Sequence, residues 1–385
     1  MTESALADTR DTSGFDAVLV TCAASNVRAG GMRLVERCAF ALARAGAKRL
    51  LCIGPSPAPD LRLPELAISW LRPSDDLAGW STATGRPIIG LNASTLVDAR
   101  AIASLADAPG AGPLSDSEGH LWRCQPSMLP SMVAATRPGP RRDDVPGTGT
   151  WHPPETALLR PVRNGTERTS AEETLLERLG RPNDGWFTRV VDRRASRVLT
   201  KRFMHTRIVP NQITMISITV GIVGGLLFSI GSHAATSAGA LLFLFSTILD
   251  GCDGELARLT YRESRTGALL DVVGDNVVHL VLFGGLAAGL YRVMPAGHIA
   301  FLGAALVVGA IAAIASVYFC ILRGSPTPAQ QTLFETFAGR EFAYLLAGLA
   351  LAGRLALFLW IAAVGIYVFA GGLWLLGRVG KPTAP

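Results

Sequence analysis

Between residues 209 and 378 the chain is dominated by long apolar runs, whereas residues 1 to about 200 are mixed and polar. That division constrains the fold more than any other feature. Hydrocarbon offers a backbone no hydrogen-bond partners, so runs of about 20 apolar residues cross it as helices. The pattern predicts spans at about 210–232, 235–256, 267–291, 297–322, 341–353 and 355–377, the fifth of them short. The expectation is an all-α, six-helix transmembrane domain over 209–380. A mean hydropathy of +0.33 for the whole chain conceals it.

Set into the apolar half is a stretch that is costly to keep there, DGCDGELARLTYRESRTGALLDVVGD, from Asp250 to Asp275. A carboxylate at bilayer depth costs about 3 kcal/mol even on lenient scales. Asp250 and Asp253 are three residues apart, Asp271 and Asp275 four, so each pair shares a helix face. The first pair ends the second span and the second pair begins the third, so a short loop brings the pairs together. Like charges that close need a cation. Oxygen-only donors suit Mg²⁺, Mn²⁺ or Ca²⁺, and four carboxylates can hold the two ions that clamp attacking and leaving oxygens in phosphoryl transfer. Gly251 and Gly254 clear side chains from that space, and Arg258 can pair with a phosphate. The plainer alternative is a charged loop with stray acids at its helix ends.

The stretch fits D-x2-D-G-x2-A-R-x8-G-x3-D-x3-D at every fixed position: Asp250, Asp253, Gly254, Ala257, Arg258, Gly267, Asp271 and Asp275. In this it resembles the CDP-alcohol phosphatidyltransferase family. The resemblance implies transfer of a substituted phosphate from a CDP-alcohol to a hydroxyl acceptor, with release of CMP. It implies Asp250, Asp253 and Asp271 as ligands of a two-metal Mg²⁺ or Mn²⁺ site. Asp275 would face the same metals and take the acceptor's proton as catalytic base. Gly254, Ala257 and Arg258 would line the cytidine and diphosphate, and Gly267 would allow close helix approach near the nucleotide. Pro210-Asn211-Gln212-Ile213-Thr214 is similar to the P-N-x-x-T opening of the family's first span. Asn211 and Thr214 either contact the nucleotide diphosphate or cap the helix at the interface. The donor is left open between CDP-diacylglycerol and a soluble CDP-polyol. The acceptor is an alcohol or a phosphorylated polyol, inositol phosphate first among them. Membrane lipid is a further partner, and the family tends toward homodimers. A transporter, or a scaffold without catalysis, is the rival of another class; the acids cluster at one interface and the motif is whole, which favours neither.

In the polar half, FDAVLVTC (15–22) reads as a buried strand, AASNVRAGG (23–31) as a loop, 33–46 as a helix with Gly46 as its C-cap, and KRLLCIG (48–54) as the next strand. A strand at RPIIGL (86–91) runs into Asn92 and a helix near 97–105. This order resembles the sugar-phosphate nucleotidyltransferases over about 90 residues. It implies a Rossmann-like α/β cytosolic domain over 13–150, of a kind fused ahead of CDP-alcohol phosphotransferases in some inositol-phosphate pathways. The alternative function is then bifunctional, this domain making the CDP-alcohol. The loop arginine of that family is represented by Arg28 or Arg33, no lysine lies near, and Asn92 stands where an acid would hold Mg²⁺, with Asp98 the nearest carboxylate. An active domain and a degenerate one both stay open.

Residues 1–13 read as disordered, 151–181 as a linker and 182–208 as a basic amphipathic helix lying on the cytoplasmic leaflet. Lys201, Arg202, Arg207, Arg258, Arg262, Arg265, Arg323, Arg340, Arg378 and Lys381 fall on one side of the six-span topology, and only Arg292 and Arg354 on the other. Positive charge marks the inner side. The expectation is an inner-membrane protein with both termini and the acids on the cytoplasmic face. The net charge of +6 follows the membrane segments, no nucleic-acid motif accompanies it, and no signal peptide is read at Met1. Six scattered cysteines without a CxxC pair read as reduced thiols.

Overall fold

The computed structural model describes residues 14–54, 61, 63, 66–72, 75–110, 112–135, 147–179, 193–337 and 341–379. The chain divides into two compact units between Leu175 and Leu176. Residues 1–13 and 182–192 of the expected segments, with Arg340 and Lys381, lie outside the described residues.

The first unit is an α/β layer structure. Its strands are β1 (Phe15–Val20), β2 (Arg28–Ala29), β3 (Met32–Arg33), β4 (Ala47–Ile53), β5 (Ala67–Leu71), β6 (Ile88–Asn92), β7 (Thr95–Val97), β8 (Leu114–Ser115), β9 (Leu121–Cys124), β10 (Gly149–Thr150) and β11 (Leu159–Pro161). Its helices are α1 (Leu34–Arg44), α2 (Ala78–Thr82), α3 (Ala99–Ala106), α4 (Leu129–Ala135) and α5 (Gly165–Glu177). The main sheet runs β10-β8-β9-β6-β1-β4-β5, with β1 parallel to both β4 and β6 and with β9 antiparallel to β6. Strand β1 is buried along its whole length, which its unbroken apolar run anticipates for a central strand covered on both faces. Alternate residues feed separate cores: Ala17 and Leu19 meet Val35 and Cys38 of α1, while Val18 and Val20 meet Leu51, Ile88 and Trp122. Gly90 is needed where Trp122 crosses β6, since a Cβ there would stand 1.9 Å from the indole.

One expectation is corrected here. Residues 151–181 are not simply a linker: Trp151, Leu158 and Val162 are buried, β11 pairs with β7, and α5 follows. Their apolar residues are spaced among prolines without a period, so nothing in the pattern marks them as core. The expected loop at 23–31 holds a single helical turn at Ala23–Asn26 and then a tight corner. Gly30 and Gly31, at φ +61° and +83°, turn the β2–β3 hairpin, the conformation for which glycine is preferred. All six cysteines are free, and burial pushes the thiols of Cys38, Cys52 and Cys124 up to about 12, well away from thiolate chemistry.

The second unit is helical: α6 (Arg193–Phe203), α7 (Pro210–Phe228), α8 (His233–Leu259), α9 (Arg265–Val293), α10 (Gly297–Val317) with a π-helical turn at Tyr318–Leu322, α11 (Pro328–Phe337), α12 (Glu341–Leu351) and α13 (Leu355–Val379). Among the described residues, five helices are long and apolar enough to cross a membrane: α7, α8, α9, α10 with its π turn, and α13. The expected fifth span is the shorter α12. Its 11 residues reach about 16 Å, half the hydrocarbon thickness. One face packs on the bundle, with Ala343, Leu346 and Ala350 fully buried, while Leu345 and Leu351 are 43% and 52% exposed.

Helices α7, α8 and α9 meet along glycine. A Cβ on Gly285 would stand 2.1 Å from the Gly225 carbonyl oxygen, one on Gly289 1.9 Å from that of Phe228, and one on Gly239 2.6 Å from that of Gly224. Lipid tails are as apolar as leucine, so helices in a membrane associate by close backbone packing, which small residues permit. This seam sets how α8 and α9 face each other.

Candidate active site

Helix α8 ends and α9 begins at one end of the bundle, joined by residues 260–264. Tyr261 takes a left-handed φ of +52° in that turn, and Ser264 caps α9 by accepting the N–H of Gly267 at 3.0 Å. The turn is tight because the two acidic pairs have to meet across it. Asp250, Asp271 and Asp275 do meet: one carboxylate oxygen from each lies within 4.8 Å of the others. Asp250 and Asp271 are half-buried and Asp275 is exposed.

The set fits a hard divalent cation. All donors are oxygens, and ligands on opposite sides of an ion bound at about 2.0–2.5 Å would be spaced by roughly 4–5 Å. The buried Oδ1 of Asp271 has no hydrogen-bond partner, a vacancy in bonding that a cation would fill.

Asp253, the fourth expected ligand, is not one of this trio. It is 6% exposed, its Oδ2 accepts the Thr214 hydroxyl from α7, and its Oδ1 accepts the Gly254 N–H. Thr214 therefore touches a motif aspartate. Asn211 lies one turn earlier on α7, with its Oδ1 3.0 Å from where a Cβ on Gly267 would stand. The glycine makes room for that amide. Gly254 likewise makes room for Arg258, whose Nη1 lies 3.3 Å from its Cβ position. Ala257 is half-buried on α8 between them. Leu269, Val272 and Val273 belong to the same turns of α9 and are 64%, 47% and 52% exposed. At about 100° per residue they face largely away from Asp271 and Asp275, so an uncovered apolar strip lies at the depth of the acids on the other side of the helix.

Glu255 was not singled out in the sequence. It is fully buried inside the motif and is bonded by Ser196 and Thr200 of α6. In the described part of the expected amphipathic segment, α6 packs on α8 through this face, with Val198 and Lys201 exposed. Ser196 and Thr200 at i and i+4 in a basic stretch were the available signal.

In the first unit the residues weighed for catalysis have local duties. Asn92 Oδ1 accepts the N–H and hydroxyl of Ser94 at 3.1 and 2.8 Å, an Asx turn. Asp98 caps α3 by accepting the Ala101 N–H at 2.9 Å, and Arg33 pairs with Glu36 at 2.6 Å. Nearby, burial pushes the Asp116 carboxyl up, but the His120 hydrogen bond and the N–H groups of Leu121 and Glu118 outweigh it and hold it below the usual range.

Comparison with known proteins adds the following. Residues 207–378 match the family model described as CDP-alcohol phosphatidyltransferase. A "Bifunctional IPC transferase and DIPP synthase" of Archaeoglobus fulgidus is 36% identical over 108 residues, 28% of this chain and 21% of that protein. One of the same name from Rubrobacter xylanophilus is 35% identical over 139 residues, 36% of this chain and 31% of that protein. The matches thus span a fifth to a third of these relatives' lengths. Among solved structures, the phosphatidylinositol phosphate synthase of Mycobacterium tuberculosis with CDP-DAG bound is similar at 20% identity and a TM-score of 0.36, over 50% of this chain and 100% of that one. The same synthase with manganese and citrate gives 18% identity and 0.32, over 49% and 93%.

Proposed function

We propose that residues 207–378, which match the CDP-alcohol phosphatidyltransferase family model, form a domain of that family, and that the chain transfers a substituted phosphate from a CDP-alcohol to a hydroxyl acceptor and releases CMP. The observation that carries this reading is the convergence of Asp250, Asp271 and Asp275, with Asp271 Oδ1 buried and without a partner. Asp250, Asp253, Asp271 and Asp275 would hold two Mg²⁺ or Mn²⁺ ions, which when bound neutralise the diphosphate and the departing CMP. Asp275, the exposed member, takes the acceptor's hydroxyl proton. The acceptor oxygen then bonds to the distal phosphorus, and the anhydride bond breaks with its electron pair leaving on CMP. Arg258 and the space over Gly254 receive the nucleotide diphosphate, and Asn211 and Thr214 flank it from α7.

Inositol phosphate is the acceptor this reading puts first, and CDP-diacylglycerol or a CDP-polyol the donor. The reading also takes α12 as the fifth of six crossings, which leaves both ends of the bundle on the cytoplasmic face with Arg207, Arg258, Arg262, Arg265 and Arg323. A homodimer is part of the same proposal. A second reading is favoured by the name the curated relatives carry: the first unit joins CTP to an alcohol phosphate, releasing pyrophosphate, and so makes the donor.

The test is CMP release by the purified chain in detergent with Mg²⁺, comparing CDP-diacylglycerol with CDP-inositol across alcohol acceptors. Release that needs one donor and one acceptor is expected. Absence of both release and CDP-alcohol binding would sink the reading. Pyrophosphate release from CTP and inositol phosphate separates the second reading from the first.

A further inference from the structure

Glu255 lies two residues beyond Asp253 and is 0% exposed. Each of its oxygens accepts a hydroxyl: Oε1 from Ser196 at 2.9 Å and Oε2 from Thr200 at 2.8 Å. Ser196 and Thr200 are themselves buried, one turn apart on α6. Cys252 donates its Sγ–H to the Ser196 carbonyl at 3.6 Å, and Met204, Ile213, Cys252 and Leu256 close an apolar cluster beside the clamp. The cluster alone would hold α6 against α8. A buried carboxylate is a costly addition to it, and what such a group adds over apolar packing is directional: one register and one rotation.

The rotation matters because α8 carries its chemistry elsewhere on its circumference. At about 100° per residue, Cys252, Glu255, Leu256 and Leu259 share one side, while Asp250, Asp253 and Ala257 share roughly the opposite one. The geometry points to Glu255, with Ser196 and Thr200, as positioning residues for the transfer reaction. Their grip sets the rotation of α8, and with it the angle at which Asp250 and Asp253 face Asp271 and Asp275. A carboxylate about 5 Å from the helix axis moves by roughly 1 Å for each 10° of rotation, whereas metal–oxygen bonds tolerate only a few tenths. On the other side Thr214 holds Asp253 from α7. The helix is thus pinned at two points of its circumference. This inference rests on the function proposed above, and its test reads metal binding as well as turnover.

The experiment measures Mn²⁺ binding to the purified full chain by electron paramagnetic resonance, in parallel with CMP release and the thermal midpoint. The variants are Thr200→Ala, Ser196→Ala with Thr200→Ala, and the near-isosteric Glu255→Gln. Mn²⁺ affinity is expected to fall about tenfold or more in the double variant and in Glu255→Gln, as when partners behind metal ligands are lost. Thr200→Ser, which keeps the hydroxyl, is expected to recover most of the loss seen in Thr200→Ala. Unchanged Mn²⁺ affinity overturns the proposal, whether the midpoint falls or holds, because it leaves the clamp a purely structural role. Should the double variant not fold, Glu255→Gln and the Thr200 pair decide alone. Absence of CMP release from the unaltered chain that still binds Mn²⁺ would count against the reaction and not against the clamp.

Discussion

Asp271→Asn is expected to cut CMP release by on the order of 10³-fold, the scale of losing one electrostatic stabiliser of a transition state. The argument starts from the orphaned Oδ1 of Asp271, buried beside Asp250 and Asp275. Asparagine keeps the shape and removes the charge that makes the oxygen a ligand. The same substitution removes one of three crowded carboxylates, so repulsion in the metal-free protein falls. The thermal midpoint in chelator should therefore hold or rise while activity disappears. Mn²⁺ binding, CMP release and thermal unfolding on one preparation check this. Activity within tenfold of the unaltered chain would remove Asp271 from the site.

The largest effect on stability is expected at Gly289. Valine there places a Cβ 1.9 Å from the Phe228 carbonyl oxygen, and the obstacle is backbone, which no rotamer change can clear. Separating α7 from α9 costs about 3 kcal/mol or more, the upper range for overpacking. Gly284, on the same helix, has nothing within 4 Å of its Cβ position, so Gly284→Val serves as the control and should be near neutral. Thermal unfolding in detergent distinguishes them. Equal midpoints would mean the seam does not hold the bundle.

The aspartates were legible because their geometry is local. Three- and four-residue spacings fix a helix face whatever surrounds it, and a short loop leaves antiparallel helices little choice of register. β1, β4 and β6 were legible for a similar reason, since unbroken apolar runs between turn residues belong in the centre of a sheet. What escaped was set by distant partners. Glu255 meets Ser196 and Thr200 across 59 and 55 residues, and no local pattern announces that pairing. Trp151 and Val162 found their cores because β10 adds to β8 and β11 to β7. The loop over 23–31 was legible, but the two short strands it joins at Gly30 and Gly31 were not, being only two residues each.

The uncovered strip of Leu269, Val272 and Val273, on the same turns of α9 as Asp271, has a consequence for how rates should scale. On the proposed function the reacting atoms would sit at the depth of that strip, so reactants can arrive through two phases with different units of concentration. A donor carrying acyl chains is counted as a mole fraction of the film around the protein, and inert detergent dilutes it at constant volume. A polyol-linked donor is counted per litre and ignores the detergent. Turnover followed against added micelles, with total donor held fixed, reads directly which of the two phases delivers it.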